Sequence, residues 1–326
     1  MPAVGLSVES DLLRLVSFEK KHGRTVLKTA SEFKLESGTI VAGDVAKPDN
    51  LAVVLKNIRN EHGARFARVA LPEEKAYVYE AIIPVPEDGE MSDAVEFSLD
   101  QNIPLSADEV VFDFAVVEGP FSNNSVQSAR VVVSAYPKGI IETWVGLLGQ
   151  AGITPFSLTP ESQAIAHSLV VHTDARPSLL VHFLKDKTIV AIVSGGFVRF
   201  STTVSGGSAG GLENTEKILA SHEGEKISES IELLSVRDEV KKVFSYWMSK
   251  EEIKSRKEPR SIGSVIVTGH IADMIDVAEY LGKHIGVPAI LGNVWQNAFS
   301  LDKFIPEIEF EDSLCLAAAV GVALPE

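Results

Sequence analysis

The chain has 326 residues, of which 45% are apolar and 23% charged. This composition is ordinary for a globular protein and excludes a collagen-like, coiled-coil or wholly disordered chain. At about 150 residues per domain, the length predicts two domains. Lys and Arg number 30 against 45 Asp and Glu, which gives a net charge of −15. Such a chain repels nucleic-acid phosphates and anionic lipid surfaces, so we expect neither as a direct partner.

We expect neither an export signal nor a membrane anchor in this sequence. The N-terminus has no basic segment followed by an apolar run, and the longest apolar stretch, residues 314–324, is far shorter than the roughly 20 residues that span a bilayer. The single cysteine, Cys315, forms no internal disulfide, and the scattered histidines include no metal-binding pair. We therefore expect a cytoplasmic protein without a metal site, which reaches the inner membrane only through partners.

The first half of the chain predicts alternating strands and helices. Residues 48–62 form a helix, because Leu51, Leu55 and Ile58 fall on one face. Turn residues and β-branched runs predict the strands, and Ser92 is the expected N-cap of a second helix. The other predicted elements are strands at 4–8, 12–20, 25–35, 65–71, 76–86, 109–119 and 128–136, and helices at 91–103, 137–153 and 161–172.

The second half repeats the opening pattern of three consecutive strands. The predicted strands are 178–184, 188–196, 197–204 and 264–270, and the predicted helices are 231–253, 272–286 and 311–324. Each half thus begins with a three-stranded meander and continues into helices and further strands. This alternation predicts an α/β protein with mixed sheets covered by helices.

One known family shares the order and spacing of several stretches, namely GLSVESDLLRLV (5–16), RFARVALPEEKAYVYEAIIP (65–84), QNIPLSADEVVFDF (101–114) and SVIVTGH (264–270). The third stretch is the most specific, since it falls in the small β-α-β-β unit. On these residues the chain resembles PilM, the actin-like type IV pilus assembly protein, which is related to the cell-division protein FtsA.

The resemblance implies an actin/Hsp70-like, or ribonuclease H-like, fold with two lobes. The first lobe would span 1–176, with a small domain inserted at about 77–135, and the second lobe would span 177–326. The second lobe would include a helical subdomain at about 212–260, and the C-terminal helix at 311–324 would return to the first lobe. The implied function is that of a cytoplasmic scaffold of a type IV pilus or related secretion machine.

The resemblance also implies the partners. The main one is a short cytoplasmic peptide of a PilN-like inner-membrane protein, held between the inserted domain and its host lobe. A pilus assembly ATPase and further copies of the chain, arranged as a ring, are the other implied partners.

The implied nucleotide cleft departs from the family at four phosphate-facing positions. The family has aspartates, which hold magnesium through water, at Ser7 and His182, and glycines at Glu9 and Leu184. Serine and neutral histidine are poor magnesium ligands, and a side chain in place of glycine fills space that a phosphate needs. The degenerate cleft would comprise Ser7, Glu9, Ser10, His182, Gly206, Gly207, Thr268, Gly269 and His270.

These departures favour a scaffold with weak or no ATP hydrolysis, and we assign no catalytic residue. Two alternatives stay open: an active ATPase of the same family, with ATP and magnesium as cofactors, and an FtsA-like cell-division filament protein. His182 is expected as a packed or exposed histidine and not as a base. Lys185 and Lys187 are expected as solvated residues of a hairpin turn, not as phosphate ligands.

Overall fold

Two five-stranded mixed sheets form the centres of two lobes in the computed structural model. The structure describes residues 3–86, 91–123, 126–171, 176–205, 231–249, 261–270 and 273–325. The first sheet has the order β10-β6-β1-β2-β3, and we call the part built on it the first lobe. Its strands are β1 (Val4–Val8), β2 (Leu12–Lys21), β3 (Arg24–Lys34), β6 (Phe66–Leu71) and β10 (Thr154–Pro160).

The second sheet repeats this arrangement, as the sequence predicts, and is the centre of the second lobe. An antiparallel meander is again followed by parallel strands, in the order β13-β12-β11-β14-β15. Each residue of the first two strands of this meander is buried. The strands are β11 (Ser178–Phe183), β12 (Lys187–Ser194), β13 (Phe197–Ser205), β14 (Ser264–Gly269) and β15 (Ala289–Leu291).

A third sheet forms the inserted domain, with strands β7 (Tyr77–Pro84), β8 (Val110–Asn123) and β9 (Val126–Pro137) in the order β7-β9-β8. Helix α2 (Ser92–Asn102) packs on it through Val95 and Leu99. The predicted N-cap at Ser92 is wrong: Ser92 is the first helical residue, and Met91 occupies the cap position without a side-chain hydrogen bond.

Helices cover both large sheets. Helices α1 (Pro48–Glu61) and α3 (Lys138–Gln150) pack on the first sheet, and α1 buries the predicted Leu51, Leu55 and Ile58. Helices α5 (Ile231–Ser249) and α6 (Met274–Ile285) pack on the second. The rest of the predicted helical subdomain, 212–230 and 250–260, lies outside the described residues. A two-stranded hairpin, β4 (Ile40–Val41) and β5 (Asp44–Val45), was not predicted.

The lobes meet at α4 (Glu161–Leu169) and the C-terminal segment. The predicted single helix at 311–324 is wrong: α7 (Phe310–Ser313), a 3₁₀ turn (Leu314–Leu316) and α8 (Ala317–Ala323) follow one another. Helix α8 packs so closely on α4 that a Cβ on Gly321 would overlap the Ala164 carbonyl. Among the described helices, none has the length and apolarity to cross a membrane.

One apolar cluster continues from lobe to lobe. It contains Val16 and Ala70 of the first sheet, Leu180 and Ala191 of the second, and most of α8. Since burial of apolar surface contributes roughly 25 cal/mol per Å², this shared core favours one arrangement of the two lobes.

Candidate functional site

The first predicted phosphate turn, between β1 and β2, is closed by its own ion pair. Ser7 is buried, and the Glu9 amide donates to the Leu12 carbonyl over 2.8 Å. The Glu9 carboxylate, also buried, pairs with Arg14, and Arg14 Nε donates to Glu32 over 2.7 Å. The charges of Glu9 and Arg14 are therefore both paired within the first lobe. The backbone carbonyl of Ser10, the remaining predicted residue here, accepts from Ile40 over 3.4 Å.

The second predicted phosphate residue, His182 on β11, lies inside the sheet with 1% of its surface exposed. Its Nδ1 finds no hydrogen-bond partner among the described residues. Burial, together with the positive charges of Arg14 and Lys187, lowers the pKa of His182 to about 3. The ring is therefore neutral at physiological pH, as expected for a packed histidine.

The turn that follows, between β11 and β12, reaches the first lobe. Lys185 pairs with Asp11 of the β1–β2 turn. Lys187 Nζ lies 2.6 Å from Glu74 Oε2 and 3.1 Å from Glu161 Oε2, and the residue is 6% exposed. The prediction that Lys187 is solvated is wrong, because its partners come from the other lobe and no local pattern reveals them.

The predicted adenosine turn at the end of β14 is held by backbone contacts. Thr268 Oγ1 donates to the Leu314 carbonyl over 2.8 Å, and the His270 amide donates to the Phe183 carbonyl over 2.8 Å. Gly269 has φ of +105°, and a Cβ there would overlap the Phe183 backbone. The glycine thus has a structural requirement of its own. Gly206 and Gly207 lie outside the described residues.

An interlobe cleft of about 970 Å³ lies beside these turns. Of the predicted residues that the structure describes, Glu9 and His270 line it, and the others do not: Ser7, Ser10, His182, Thr268 and Gly269. Its other charged walls are Asp11, Arg14, Glu32, Lys34, Lys185 and Asp312.

The charges of this cleft suit a magnesium triphosphate poorly. Arg14 and Lys185 already pair with carboxylates of the protein. A phosphate that displaced these pairs would lie beside carboxylates that had lost their cationic partners. Two unit charges of like sign about 4 Å apart repel each other by about 4 kcal/mol at an effective dielectric constant near 20. The hard anionic oxygens that magnesium prefers are absent from Ser7 and His182.

The sequence did not predict a cluster of acidic residues at the N-terminal end of α4, formed by Glu73, Glu74 and Glu161. Glu73 accepts hydrogen bonds from the Ser162 amide and hydroxyl, both over 2.8 Å. Burial raises the pKa of Glu161 to about 7. The positive charge of Lys187 acts in the opposite direction, and the negative charge of Glu74 raises the pKa further. The motifs LPEEK (71–75) and TPES (159–162) contain these acids, but their meeting requires the fold.

A second cavity, of about 470 Å³, lies between the inserted domain and the first lobe. Strand β8 is an edge strand of the inserted sheet, strand β10 is an edge strand of the first sheet, and residues of both line this cavity. Helix α4 contributes Gln163 and His167, and the second lobe contributes Phe197. Gln163 ties the lobes together: it donates to the Gly196 carbonyl over 3.0 Å and accepts from the Val198 amide over 2.9 Å.

This chain matches several solved structures, and one of them, with a TM-score of 0.71, shares its fold. It is described as "PilM-PilN type IV pilus biogenesis complex": the match has 21% identity and covers 99% of this chain and 98% of that one. Another is the ethanolamine utilization protein EutJ from Carboxydothermus hydrogenoformans, with 12% identity, a TM-score of 0.49, and coverage of 99% and 89%. A search of curated protein sequences found no match.

The sequence profile of the family described as type IV pilus assembly protein PilM matches residues 5–208. This range contains the first sheet, the inserted domain, α4 and the meander of the second sheet. Since the match extends over more than half of the chain, the chain belongs to the type IV pilus assembly protein PilM family.

Proposed function

We propose that this protein is a scaffold of type IV pilus assembly that holds a short, extended peptide of a PilN-like inner-membrane protein. The peptide would lie in the 470 Å³ cavity between the inserted domain and the first lobe. The observation that carries the proposal is that two sheet edges, β8 and β10, border this one cavity. Edge strands offer backbone amides and carbonyls to an added strand, and side-chain pockets then supply specificity.

The lining of the cavity supports an apolar peptide with a few polar groups. Ala115, Val132, Leu158 and Val322 supply apolar surface, and Arg68, Asp113 and Ser157 are among the polar groups. This mixture is typical of peptide and ligand sites, in which apolar surface gives affinity and a few polar groups fix orientation. Through such a partner the protein would be held at the cytoplasmic face of the inner membrane.

We also propose that the protein hydrolyses ATP weakly or not at all. The support is the pairing of Glu9 with Arg14 and of Asp11 with Lys185, together with the buried, neutral His182. A pilus assembly ATPase and further copies of this chain are further proposed partners.

The peptide proposal can be tested by fluorescence anisotropy with a labelled peptide from the cytoplasmic N-terminus of the PilN-like protein of the same organism. Ala115→Arg would place a long side chain in the cavity. Val116→Arg is the matched control, because neighbouring strand residues point to opposite faces and Val116 is exposed. We expect at least a tenfold loss of affinity for the first variant and none for the second. Equal binding by both variants would overturn the proposed location.

A further inference from the structure

The hairpin between β11 and β12 is a bridge from the second lobe to three separate segments of the first. Lys185 contacts Asp11 in the β1–β2 turn. Lys187 contacts Glu74, in the 3₁₀ turn Glu73–Lys75, and Glu161, the first residue of α4. Two lysines two residues apart thus connect one turn to three elements of the opposite lobe.

The inner contact is buried on both sides. Lys187 is 6% and Glu161 2% exposed, and a buried charge is tolerated only when it is paired and hydrogen-bonded. Burial opposes the charge of Lys187, but Glu161 and Glu74 outweigh this effect and raise its pKa above the ordinary value. In the described part of the chain, no group of three or more acidic, histidine or cysteine side chains is arranged to hold a metal ion. Lys187 Nζ is the cation that faces these carboxylates, at 2.6 Å from Glu74 Oε2 and 3.1 Å from Glu161 Oε2.

We propose that Lys185 and Lys187 form a lysine latch, which keeps the two lobes closed without a nucleotide. In this arrangement, ammonium groups of the second lobe bind carboxylates of the first directly: Lys185 pairs with Asp11 in the wall of the interlobe cleft, and Lys187 pairs with Glu74 and Glu161 in the interior. The closed arrangement of the lobes is then a property of the polypeptide alone, and Mg-ATP does not change it.

The latch also connects the cleft to the second cavity. Helix α4 carries Glu161 at its first turn and Gln163 and His167 in the cavity wall. A rigid helix that begins at the latch holds that wall in place. The latch is nevertheless separate from the proposed peptide site, because its test needs neither peptide nor ATP turnover and succeeds or fails independently.

Spin labels on the two lobes test the latch. In a Cys315→Ser background, Lys56→Cys on α1 and Glu279→Cys on α6 place labels at exposed helix positions, and pulsed dipolar spectroscopy measures the distance between them. We expect one narrow distance distribution, unchanged by millimolar Mg-ATP. Lys187→Met should broaden it or shift it to longer distances, because it removes the buried ion pairs. Lys185→Asp should do the same, because it replaces the attraction to Asp11 by a repulsion between two acids. Lys47→Met is the matched control, since its partner, Glu36, lies in the same lobe.

A charge exchange keeps the test decisive if Lys187→Met fails to fold. Lys185→Asp places two acids opposite each other, and Asp11→Lys combined with Lys185→Asp restores an ion pair with reversed polarity. The exchange should return the narrow distribution. Three results would each overturn the proposal. The first is that Lys185→Asp gives the same distance distribution as the parent protein, and the second is that the charge exchange does not restore the narrow distribution. The third is that Mg-ATP narrows the distribution of the parent protein.

Discussion

The contact between Lys187 and Glu161 makes a quantitative prediction about stability and pH. Replacing Lys187 by Met keeps the apolar stem and removes the charge, so Glu161 is left buried beside two other acids, Glu73 and Glu74. Removing one partner of a buried ion pair costs about 3–5 kcal/mol. At pH 8, where Glu161 is mostly ionised in the parent protein, we expect the free energy of unfolding to fall by about 4 kcal/mol.

The loss should be smaller in acid. In the folded protein the pKa of Glu161 is about 7, above the ordinary glutamate value of 4.5. The stability that this group contributes is therefore complete below pH 4.5 and is lost as pH rises through 7. At pH 5.5 the buried carboxyl is already protonated, and the substitution removes mainly the contact with Glu74. Hydrogen bonds to charged groups contribute about 2 kcal/mol, so the expected loss at pH 5.5 is about 2 kcal/mol.

Urea unfolding followed by tryptophan fluorescence measures both values, since Trp144, Trp247 and Trp295 are all buried. Lys185→Met is the matched control: its ion pair is half exposed, and such pairs contribute at most about 1 kcal/mol. Glu161→Gln added to Lys187→Met should remove most of the pH dependence. A loss at Lys187 that is equal at both pH values, or no larger than that of Lys185→Met, would refute the reasoning.

Two further predictions concern the lobe junction and the phosphate turns. Gly321→Ala should destabilise the protein by about 3 kcal/mol, because the new Cβ overlaps the Ala164 carbonyl. Gly146→Ala, on α3 with open space around it, should stabilise the protein by about 0.5–1 kcal/mol. Thermal unfolding measures both effects, and equal effects would contradict the packing of α8 on α4. A fourfold variant with the family's phosphate residues should bind Mg-ATP more tightly than the parent in a calorimetric titration, and no gain in affinity would contradict the assignment of these positions. Its substitutions are Ser7→Asp, Glu9→Gly, His182→Asp and Leu184→Gly.

Local sequence patterns predicted the two meanders and the buried face of α1. The two meanders follow from alternating β-branched runs and turn residues, and the buried face of α1 follows from the spacing of Leu51, Leu55 and Ile58. Strand β10 escaped prediction because it carries two prolines, Pro155 and Pro160. An edge strand tolerates them, since it needs hydrogen bonds on one side only.

The candidate sites were predictable only where residue identity itself carries information. That Ser7 and His182 suit magnesium poorly is a prediction from their side-chain chemistry at positions that the resemblance supplied. The buried positions of Lys187 and Glu161 could not be predicted, because each side chain is stabilised by a partner in the other lobe. The second cavity likewise requires the inserted sheet, the first sheet and α4 to meet.

A calorimetric titration of the purified protein with the PilN-like peptide, with and without Mg-ATP, tests the scaffold proposal most directly. The proposal predicts peptide binding tighter than about 10 µM, roughly −7 kcal/mol, with the same affinity in both conditions and no heat from Mg-ATP alone. Peptide binding that requires Mg-ATP, or tight binding of Mg-ATP by itself, would contradict a scaffold that works without a nucleotide.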